Sequence, residues 1–278
     1  MYCMKKPRFS IIIPTLNEEK FVPKLLLSLT RQTVKNFDVV VVDGKSKDRT
    51  VAVASQFVKK LPLAVAVSEK TGVSAQRNMG AKIAKADWLV FVDADSVLLS
   101  NFIERIGVYI DRKRTKFFTT WLKADGDEAV DSIGGLLLNM SIEGAVLIER
   151  PWAPGPLTIV RRDTFDMVGG YDEDTSYGED HDLSMKIYKR GIPFDILREI
   201  LYIYSLRRFR KEGNLKTIKR NAISLYKVLS TGRGPKHMPG FIGGGSIYQD
   251  GLQKKKKDAL LFKKLELSAK KFIGEFIA

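Results

Sequence analysis

The chain contains little cysteine and little histidine. Among its 278 residues there is one cysteine, Cys3, and there are two histidines, His181 and His237. A single cysteine excludes an intramolecular disulfide framework and a metal site built from cysteine pairs. It also fits a reducing compartment, so we expect a cytoplasmic protein.

The chain also lacks a long apolar run. The longest apolar segment, residues 133–148, contains Asn139 and Glu143, and it is too short and too polar to span a bilayer. The apolar run that follows the basic N-terminal residues stops at Pro14, which is too early for a signal peptide. We therefore expect neither a signal peptide nor a transmembrane helix.

Positive charge is abundant and unevenly distributed. The formal net charge is +15, and residues 205–278 contain 18 Lys and Arg against 5 Asp and Glu. A nearly neutral body with a basic C-terminal third points to an anionic partner for that third, such as phospholipid headgroups, lipid phosphates or nucleic acid. The alternative is a solvated, solubilising surface. Nucleic acid is the least favoured partner because the sequence has no RNA-binding signature.

Apolar segments and helical patterns alternate over residues 1–122. The pattern predicts strands at 9–13, 37–42, 63–67, 88–92 and 116–122, with helices at 18–30, 48–58, 73–84 and 101–111 between them. Strands that are apolar throughout and alternate with helices are typical of parallel sheets covered on both faces. We therefore predict an α/β fold with a doubly wound, mostly parallel sheet flanked by helices.

The pattern is less regular after residue 122. It predicts helices at 131–148 and 181–190, a helical turn at 165–168, and strands at 157–160, 194–197 and 201–204. Residues 211–278 are predicted to form a basic, amphipathic helical extension, with helices at 215–229 and 259–277 and a Gly/Pro-rich loop at 230–251. Lysines opposite Phe and Leu on the last helix are typical of helices at a membrane surface. The alternative is that this helix packs on the body or on another subunit.

Two acids directly follow the predicted strand 88–92. Asp93 and Asp95 stand one residue apart, and the C-terminal edge of an open α/β sheet is where ligands bind. Two hard oxygen donors there suit Mg²⁺ or Mn²⁺ holding a diphosphate. The alternative is that Asp95 caps the next helix.

The other strand ends of the first half are polar as well. They carry Thr15, Asn17, Glu18, Asp43, Ser46, Asp48 and Arg77. On one sheet edge these side chains would converge on one crevice. The acids there can accept hydrogen bonds from a base and a ribose, and Arg77 can offset the charge of a diphosphate. Taken singly, each is an ordinary turn, helix-cap or surface-helix residue.

Together these residues resemble the inverting nucleotide-sugar glycosyltransferases of family 2, which have the GT-A fold. The matching segments are IIPTLNE at 12–18, VVDGKSKDRT at 41–50, AQRNMG at 75–80, DAD at 93–95, GGYDE at 169–173 and GEDHDL at 178–183. The resemblance implies a catalytic domain over residues 1–210, with a nucleotide-sugar-binding half at 1–122 and an acceptor and base half at 123–210. One turn departs from the family pattern, since Lys45 stands where Asp-Asp-Gly-Ser or Asp-Gly-Gly-Ser is common.

The resemblance implies a role for each matching residue. It assigns nucleotide-sugar binding to Pro14, Thr15, Asn17, Glu18, Asp43, Ser46, Arg77, Asp93 and Ala94. It makes Asp95, together with Asp93, the site of a Mn²⁺ or Mg²⁺ ion, and it makes Asp180, beside Glu179, the general base. A carboxylate at a helix start near other acids is suited to accept a proton from the acceptor. The helix dipole alone also favours acids at such a position.

Four further residues are candidates. Arg207 and Arg208 follow the proposed base by about 25 residues and would bind the acceptor or the diphosphate, unless they belong to a basic edge strand. Trp152 would stack on a sugar or pack in the core. His237 would be a late metal ligand or an ordinary surface histidine.

We therefore expect a metal-dependent, inverting glycosyltransferase. It would move a sugar from a nucleoside diphosphate sugar to an acceptor saccharide or a polyprenyl phosphate, in the cytoplasm or peripherally on the inner face of the cell membrane. Two other classes stay open: a nucleotidyltransferase of similar fold, and a nucleic-acid-binding protein that uses the basic third. Release of nucleoside diphosphate rather than pyrophosphate would distinguish a glycosyltransferase from a nucleotidyltransferase.

Overall fold

The computed structural model describes residues 6–126, 129–175 and 177–212. The helices and the loop expected within residues 213–278 lie outside the described residues, and so does His237. The described part forms one α/β unit around an eight-stranded sheet with the order β3-β2-β1-β4-β7-β6-β8-β5.

The strands and helices of the described residues alternate in chain order. The strands are β1 (Phe9–Thr15), β2 (Phe37–Asp43), β3 (Leu63–Val67), β4 (Trp88–Val92), β5 (Val97–Leu98), β6 (Phe117–Ala124), β7 (Leu157–Arg161) and β8 (Asp195–Tyr204). The helices are α1 (Val22–Thr30), α2 (Thr50–Ser55), α3 (Val73–Ile83), α4 (Phe102–Lys113), α5 (Ala129–Leu147), α6 (Arg162–Met167), α7 (Glu179–Tyr188) and α8 (Arg207–Glu212).

The sheet is mixed. Strands β1 to β4 pair in parallel, as their uniformly apolar sequences predict. Strand β7 runs antiparallel to both β4 and β6, whereas β6 and β8 are parallel to each other. The doubly wound parallel arrangement therefore holds for the first half only. A short apolar run does not encode the direction of its strand, so the sequence pattern did not reveal the reversal at β7.

Two apolar layers cover the two faces of the sheet. One layer joins buried side chains of α1, α2 and α4 to the strands, including Leu25, Leu29 and Ile106. The other joins α3, α6 and α7, including Ala81, Phe165 and Leu183. Helices on both faces explain why the central strands are buried throughout, and they fix the sheet edge at which the strands end.

Strands β8 and β5 differ from the predicted elements. Strand β8 is continuous where the sequence predicted two strands, and its pairing with β6 shifts register around Trp121. Arg198 and Glu199 interrupt the apolar pattern at this irregularity. Arg198 pairs with Glu143, and Glu199 pairs with Arg105. The two-residue strand β5 was not predicted, because two residues give no periodic signal. It pairs antiparallel with β8 beside Asp95.

Helix α5 packs closely on β6. Gly135 permits the approach, since a Cβ there would lie 3.2 Å from the backbone nitrogen of Ala124. The buried Asn139 side chain exchanges hydrogen bonds with the backbone of Leu122, at 2.9 Å and 3.0 Å. Despite its apolar composition, neither α5 nor another helix in the described ranges has the length and hydropathy needed to cross a membrane.

We predict opposite effects of alanine at two helical glycines. A Cβ at Gly80 would lie 2.3 Å from Cγ2 of Ile12, on a branched side chain that cannot swing away. Gly80→Ala should therefore reduce the free energy of unfolding by about 1–3 kcal/mol. Gly144→Ala, at a position with no atom within 4 Å of an added Cβ, should raise it by up to about 1 kcal/mol. Urea denaturation measures both, and equal effects would contradict the packing of α3 on β1.

Candidate active site

The polar strand ends meet at one edge of the sheet. Strands β1, β2 and β4 are parallel and end there at Thr15, Asp43 and Val92. Strand β7 is antiparallel to both β4 and β6, so β6 runs in the same direction as β4. Strand β8 pairs in parallel with β6 and therefore ends at the same edge. The segment that begins with Asp93 and the helix that begins with Arg207 therefore face each other.

The loop after β2 is built around the carboxylate of Asp43. This carboxylate is buried and accepts hydrogen bonds from Thr15 Oγ1 at 3.1 Å and from the backbone nitrogen of Ser46 at 2.8 Å. The Ser46 hydroxyl donates to Asp43 and accepts from the backbone nitrogen of Asn17 at 2.8 Å. The network locks the ends of β1 and β2 together, so Asp43 has a fixed orientation.

The same turn has two conformational requirements. Gly44 lies against Gln76, whose Nε2 would be 2.6 Å from an added Cβ. Nε2 of Gln76 donates to the carbonyl of Thr15 at 2.6 Å. Lys45 adopts a φ of 66°, a left-handed conformation that favours glycine. Lys45 departs from the family pattern in residue type, but its backbone keeps a conformation that glycine favours.

Arg77 connects the two halves of the site. Its side chain is 2% exposed, and it bonds to Asp93 Oδ1 at 2.9 Å and to Glu179 Oε1 at 2.8 Å. It also donates to the carbonyl oxygen of Gly155 at 3.0 Å and lies 5.1 Å from the ring centroid of Tyr171. The guanidinium that was expected to bind diphosphate is thus engaged by protein groups from β4, α7 and the loop before β7.

Burial and charge shift the pKa values of this cluster. Burial raises the pKa of Asp93 to about 6 against the opposing effect of Arg77, and the charge of Asp95 adds to the rise. Burial likewise raises the pKa of Glu179. For Arg77 burial lowers the pKa, but the neighbouring charges outweigh it and the net shift is upward. Arg77 therefore stays protonated, and about a third of the Asp93 side chain (32%) faces the open side of the site.

Asp180 is held by three hydrogen bonds. Its Oδ2 accepts from the indole Nε1 of Trp152 at 2.7 Å and from the backbone nitrogen of Gly155 at 2.9 Å. Its Oδ1 accepts from the backbone nitrogen of His181 at 2.9 Å. The Trp152 ring stacks on the His181 ring at 4.7 Å. The structure thus gives Trp152 a packing and orienting position, and burial lowers the pKa of His181, which favours the neutral ring.

Asp95 lies on the other side of the site, opposite Arg207. Its Oδ2 accepts from Nε of Arg207 at 2.6 Å, and Glu18 Oε1 accepts from Nη2 of the same guanidinium at 2.5 Å. The guanidinium also lies 4.0 Å above the ring of Phe21. Burial raises the pKa of Glu18 to about 7 although Arg207 opposes the shift. Within the described part of the chain, Oε2 of Glu18 is buried and has no hydrogen-bond partner.

The site has surplus negative charge, which suits a cation. The five carboxylates are those of Glu18, Asp93, Asp95, Glu179 and Asp180, and the two guanidinium groups bonded to four of them are those of Arg77 and Arg207. When all are ionised, the formal charge is −3. The hard oxygen donors and the unpaired Glu18 oxygen fit Mg²⁺ or Mn²⁺. Over residues 6–126, 129–175 and 177–212, no three His, Cys, Asp or Glu side chains form a ready-made metal cage. A metal ion here would need ligands from a diphosphate or from water.

Most of the sequence-predicted residues thus lie together at this edge. Pro14 and Ala94 are buried beside it, and Arg208 lies near enough to Tyr204 to oppose the rise in the pKa of that phenol. Sequence reasoning missed the supporting residues Gln76, Phe21, Tyr171 and Gly155. Gln76 and Tyr171 lie inside segments that match the family pattern, and the resemblance could therefore have identified them. Nothing in the sequence marked Phe21.

The sheet edge carries acids from the end of β4 and, opposite them, a second pair of acids at the start of α7. The carboxyl ends of the strands of an open α/β sheet are where ligands bind. Residues 10–149 match the family model "Glycosyl transferase family 2". The chain belongs to glycosyltransferase family 2.

Individual relatives agree with this assignment. The chain is 30% identical over 203 residues to an uncharacterized glycosyltransferase of Haemophilus influenzae, covering 69% of this chain and 67% of that protein. It is 28% identical over 207 residues to the poly(ribitol-phosphate) beta-N-acetylglucosaminyltransferase TarS of Staphylococcus aureus, covering 72% of this chain and 36% of TarS. The chain thus spans about a third of the length of TarS.

Solved structures show the same fold. The structure of TarS residues 1–349 in complex with UDP-GlcNAc has a TM-score of 0.61 and 26% identity, covering 71% of this chain and 58% of that one. The mannosyltransferase PcManGT of Pyrobaculum calidifontis, in complex with GDP-Man and Mn²⁺, has a TM-score of 0.63 and 19% identity, covering 84% and 67%. The latter similarity concerns the fold alone.

We predict that Arg77 is essential for stability. Arg77→Met would leave Asp93 and Glu179 without their partner in a crowded site and should reduce the free energy of unfolding by about 3–5 kcal/mol. Lys6→Met is the matched control, because Lys6 pairs with Asp87 between side chains that are 59% and 70% exposed. It should change stability by less than about 0.5 kcal/mol. A small effect of Arg77→Met in chemical denaturation would contradict the role of Arg77 as the connecting residue.

Proposed function

We propose that the protein is a metal-dependent, inverting glycosyltransferase that transfers a sugar from a nucleoside diphosphate sugar. Residues 1–210 would form the catalytic domain, with the donor bound by residues 1–122 and the acceptor by residues 123–210. The observation that carries the proposal is the bridge from Asp93 through Arg77 to Glu179. It holds the donor-side acid and the candidate base helix in one rigid cluster.

Asp180 is the residue we assign as general base. An added Cβ at Gly155 would lie 3.5 Å from both Arg77 Nη2 and Asp180 Oδ2, so the candidate base adjoins the donor-side cluster. Its three donors hold the carboxylate in one orientation, as a base that receives a proton from the acceptor requires. Glu179 already accepts from Arg77, so it acts as a positioning residue. The acceptor would displace the diphosphate in a single step without a covalent intermediate. A single displacement inverts the configuration at the sugar carbon that is attacked.

The donor half would use the rigid strand ends. Asp43, fixed by Thr15 and Ser46, would accept hydrogen bonds from the base of the nucleotide, with Pro14 and Asn17 shaping the same loop. Glu18, Asp93 and Ala94 would face the ribose and the diphosphate. The similarity to TarS, solved with UDP-GlcNAc, makes UDP-sugars the first donors to test.

A divalent cation would bind at Asp95, with Asp93 beside it. Such an ion neutralises charge that develops on the leaving diphosphate. The formal charge of −3 would otherwise repel an anionic donor. Arg208, which this formal charge does not include, would add positive charge on the same side from the start of α8. We keep His237 as a second candidate ligand.

The acceptor would be a saccharide or a polyprenyl phosphate. The basic composition of residues 205–278 supports an anionic, membrane-proximal acceptor and a peripheral position on the inner face of the membrane. Trp152 belongs to the loop before β7, donates a hydrogen bond to the candidate base Asp180, and would shape the acceptor side of the site by packing on His181.

We predict that Asp180→Asn separates catalysis from donor binding. The amide oxygen can keep the hydrogen bonds from Trp152 and Gly155, because both donors bond to the same oxygen, Oδ2. The amide cannot take up the proton of the acceptor, so kcat should fall about 10²–10⁴-fold. The Kd of the nucleoside diphosphate with Mn²⁺, measured by calorimetry, should change little.

Asp163→Asn is the matched control. Asp163 lies on α6 at the opposite end of β7, and its exposed side chain pairs with Arg161, so both quantities should stay at the wild-type values. Full transfer activity in Asp180→Asn would contradict the assignment of the base. Release of pyrophosphate instead of nucleoside diphosphate would overturn the proposed reaction in favour of a nucleotidyltransferase.

A further inference from the structure

We propose that Arg207 is a built-in competitor of the divalent cation. In the donor-free protein its guanidinium would neutralise Asp95 and Glu18, and a metal ion that binds at Asp95 would have to displace it or bind against its charge. Arg207 would thereby set the metal affinity of the site and make tight metal binding depend on the nucleoside diphosphate. This inference rests on the proposed function and adds a residue that controls metal binding at the same site.

The geometry of Arg207 is that of a cation enclosed by acids. Nε bonds to Asp95 at 2.6 Å and Nη2 bonds to Glu18 at 2.5 Å, so one guanidinium bridges both carboxylates. Side-chain exposure is 13% for Arg207, 12% for Asp95 and 4% for Glu18. Charge-assisted bonds with this little solvent contact are stronger than surface pairs. The pair is therefore the resting state of the site.

A metal ion and this guanidinium would compete for the carboxylate of Asp95. Oδ2 of Asp95 already accepts Nε at 2.6 Å. An incoming cation at Asp95 would be repelled by the positive charge of Arg207. Metal binding in the absence of a nucleotide must therefore displace the guanidinium or proceed against its charge, and either effect weakens the apparent affinity.

The release of Arg207 requires a side-chain movement only. The backbone before it is anchored, because Asp125 accepts from Oγ of Ser205 at 2.7 Å and from the backbone nitrogen of Leu206 at 2.9 Å. Helix α8 can therefore stay in place while the guanidinium turns away from Asp95. A diphosphate entering the site would offer the released guanidinium new oxygen acceptors, and it would offer the metal ion new ligands. Both gains favour binding of metal and donor together.

Phe21 contributes to the resting position of Arg207. The guanidinium carbon lies 4.0 Å from the centroid of the Phe21 ring, a contact that favours a cation. Phe21 precedes α1 and is only partly buried. It can therefore be shortened without opening the core, which provides a second way to weaken the hold on Arg207.

The test is Mn²⁺ binding to the nucleotide-free protein, measured by calorimetry or by the electron paramagnetic resonance signal of free Mn²⁺. Arg207→Gln should bind Mn²⁺ about tenfold more tightly or better, because a site that is open in about one molecule in ten binds about tenfold more weakly. With saturating UDP the difference between wild type and variant should shrink. Phe21→Leu should tighten nucleotide-free binding about two- to fivefold.

The control is Arg210→Gln, which removes one positive charge from the same helix. Arg210 pairs with Asp125 and Asp131, so its loss should leave Mn²⁺ affinity within about twofold of wild type by the usual size of exposed-pair effects. Equal gains in Arg207→Gln and Arg210→Gln would indicate a general charge effect and overturn the proposal. Should Arg207→Gln fail to fold, an unchanged Mn²⁺ affinity in Phe21→Leu overturns it as well.

Failure of this inference differs from failure of the proposed function. If wild type binds Mn²⁺ together with UDP and Arg207→Gln gains no nucleotide-free affinity, the competition is wrong while the glycosyltransferase assignment stands. If wild type binds neither Mn²⁺ nor any nucleoside diphosphate, the proposed function itself is wrong.

Discussion

The buried guanidinium of Arg77 is the interaction on which the rest of the site depends. It belongs to a helix that packs on β1 and β2, yet its partners come from the end of β4, the start of α7 and the loop before β7. A charge with 2% exposure is tolerated only when acids surround it. One electrostatic requirement therefore holds the end of β4, the start of α7 and the loop before β7 together at the same sheet edge.

A second guanidinium balances the other side of the site in a different way. Arg77 is enclosed, whereas Arg207 reaches in from α8 and pairs with Asp95 and Glu18, the acids at which we propose that a cation binds. Burial, and then neighbouring acids, raise the pKa values of Glu18 and Asp93 even though Arg207 and Arg77 oppose the shifts. A site with this charge pattern can accept an anionic donor once further positive charge arrives.

The sequence predicted much of the first half and of the site. Apolar strands ending in polar residues predicted β1 to β4, and the convergence of Asp43 and Asp93 at one edge follows from parallel pairing. The reversal at β7 escaped prediction, because strand direction leaves no trace in a short apolar run. The partners of Arg77 and Arg207 escaped it as well, because contacts such as Arg207 to Glu18 join residues 189 positions apart. The roles of these residues stay predictions, as do the functions assigned to residues 213–278.

The most direct test of the central claim is a crystal structure of the protein with UDP and Mn²⁺. We expect the nucleotide base beside Asp43, the diphosphate between Asp95 and the Arg77 cluster, and Mn²⁺ coordinated by Asp95 with Arg207 turned away from it. A nucleotide bound away from this sheet edge would contradict the proposed donor site. Mn²⁺ bound elsewhere while the pair between Arg207 and Asp95 stays intact would contradict the proposed metal site.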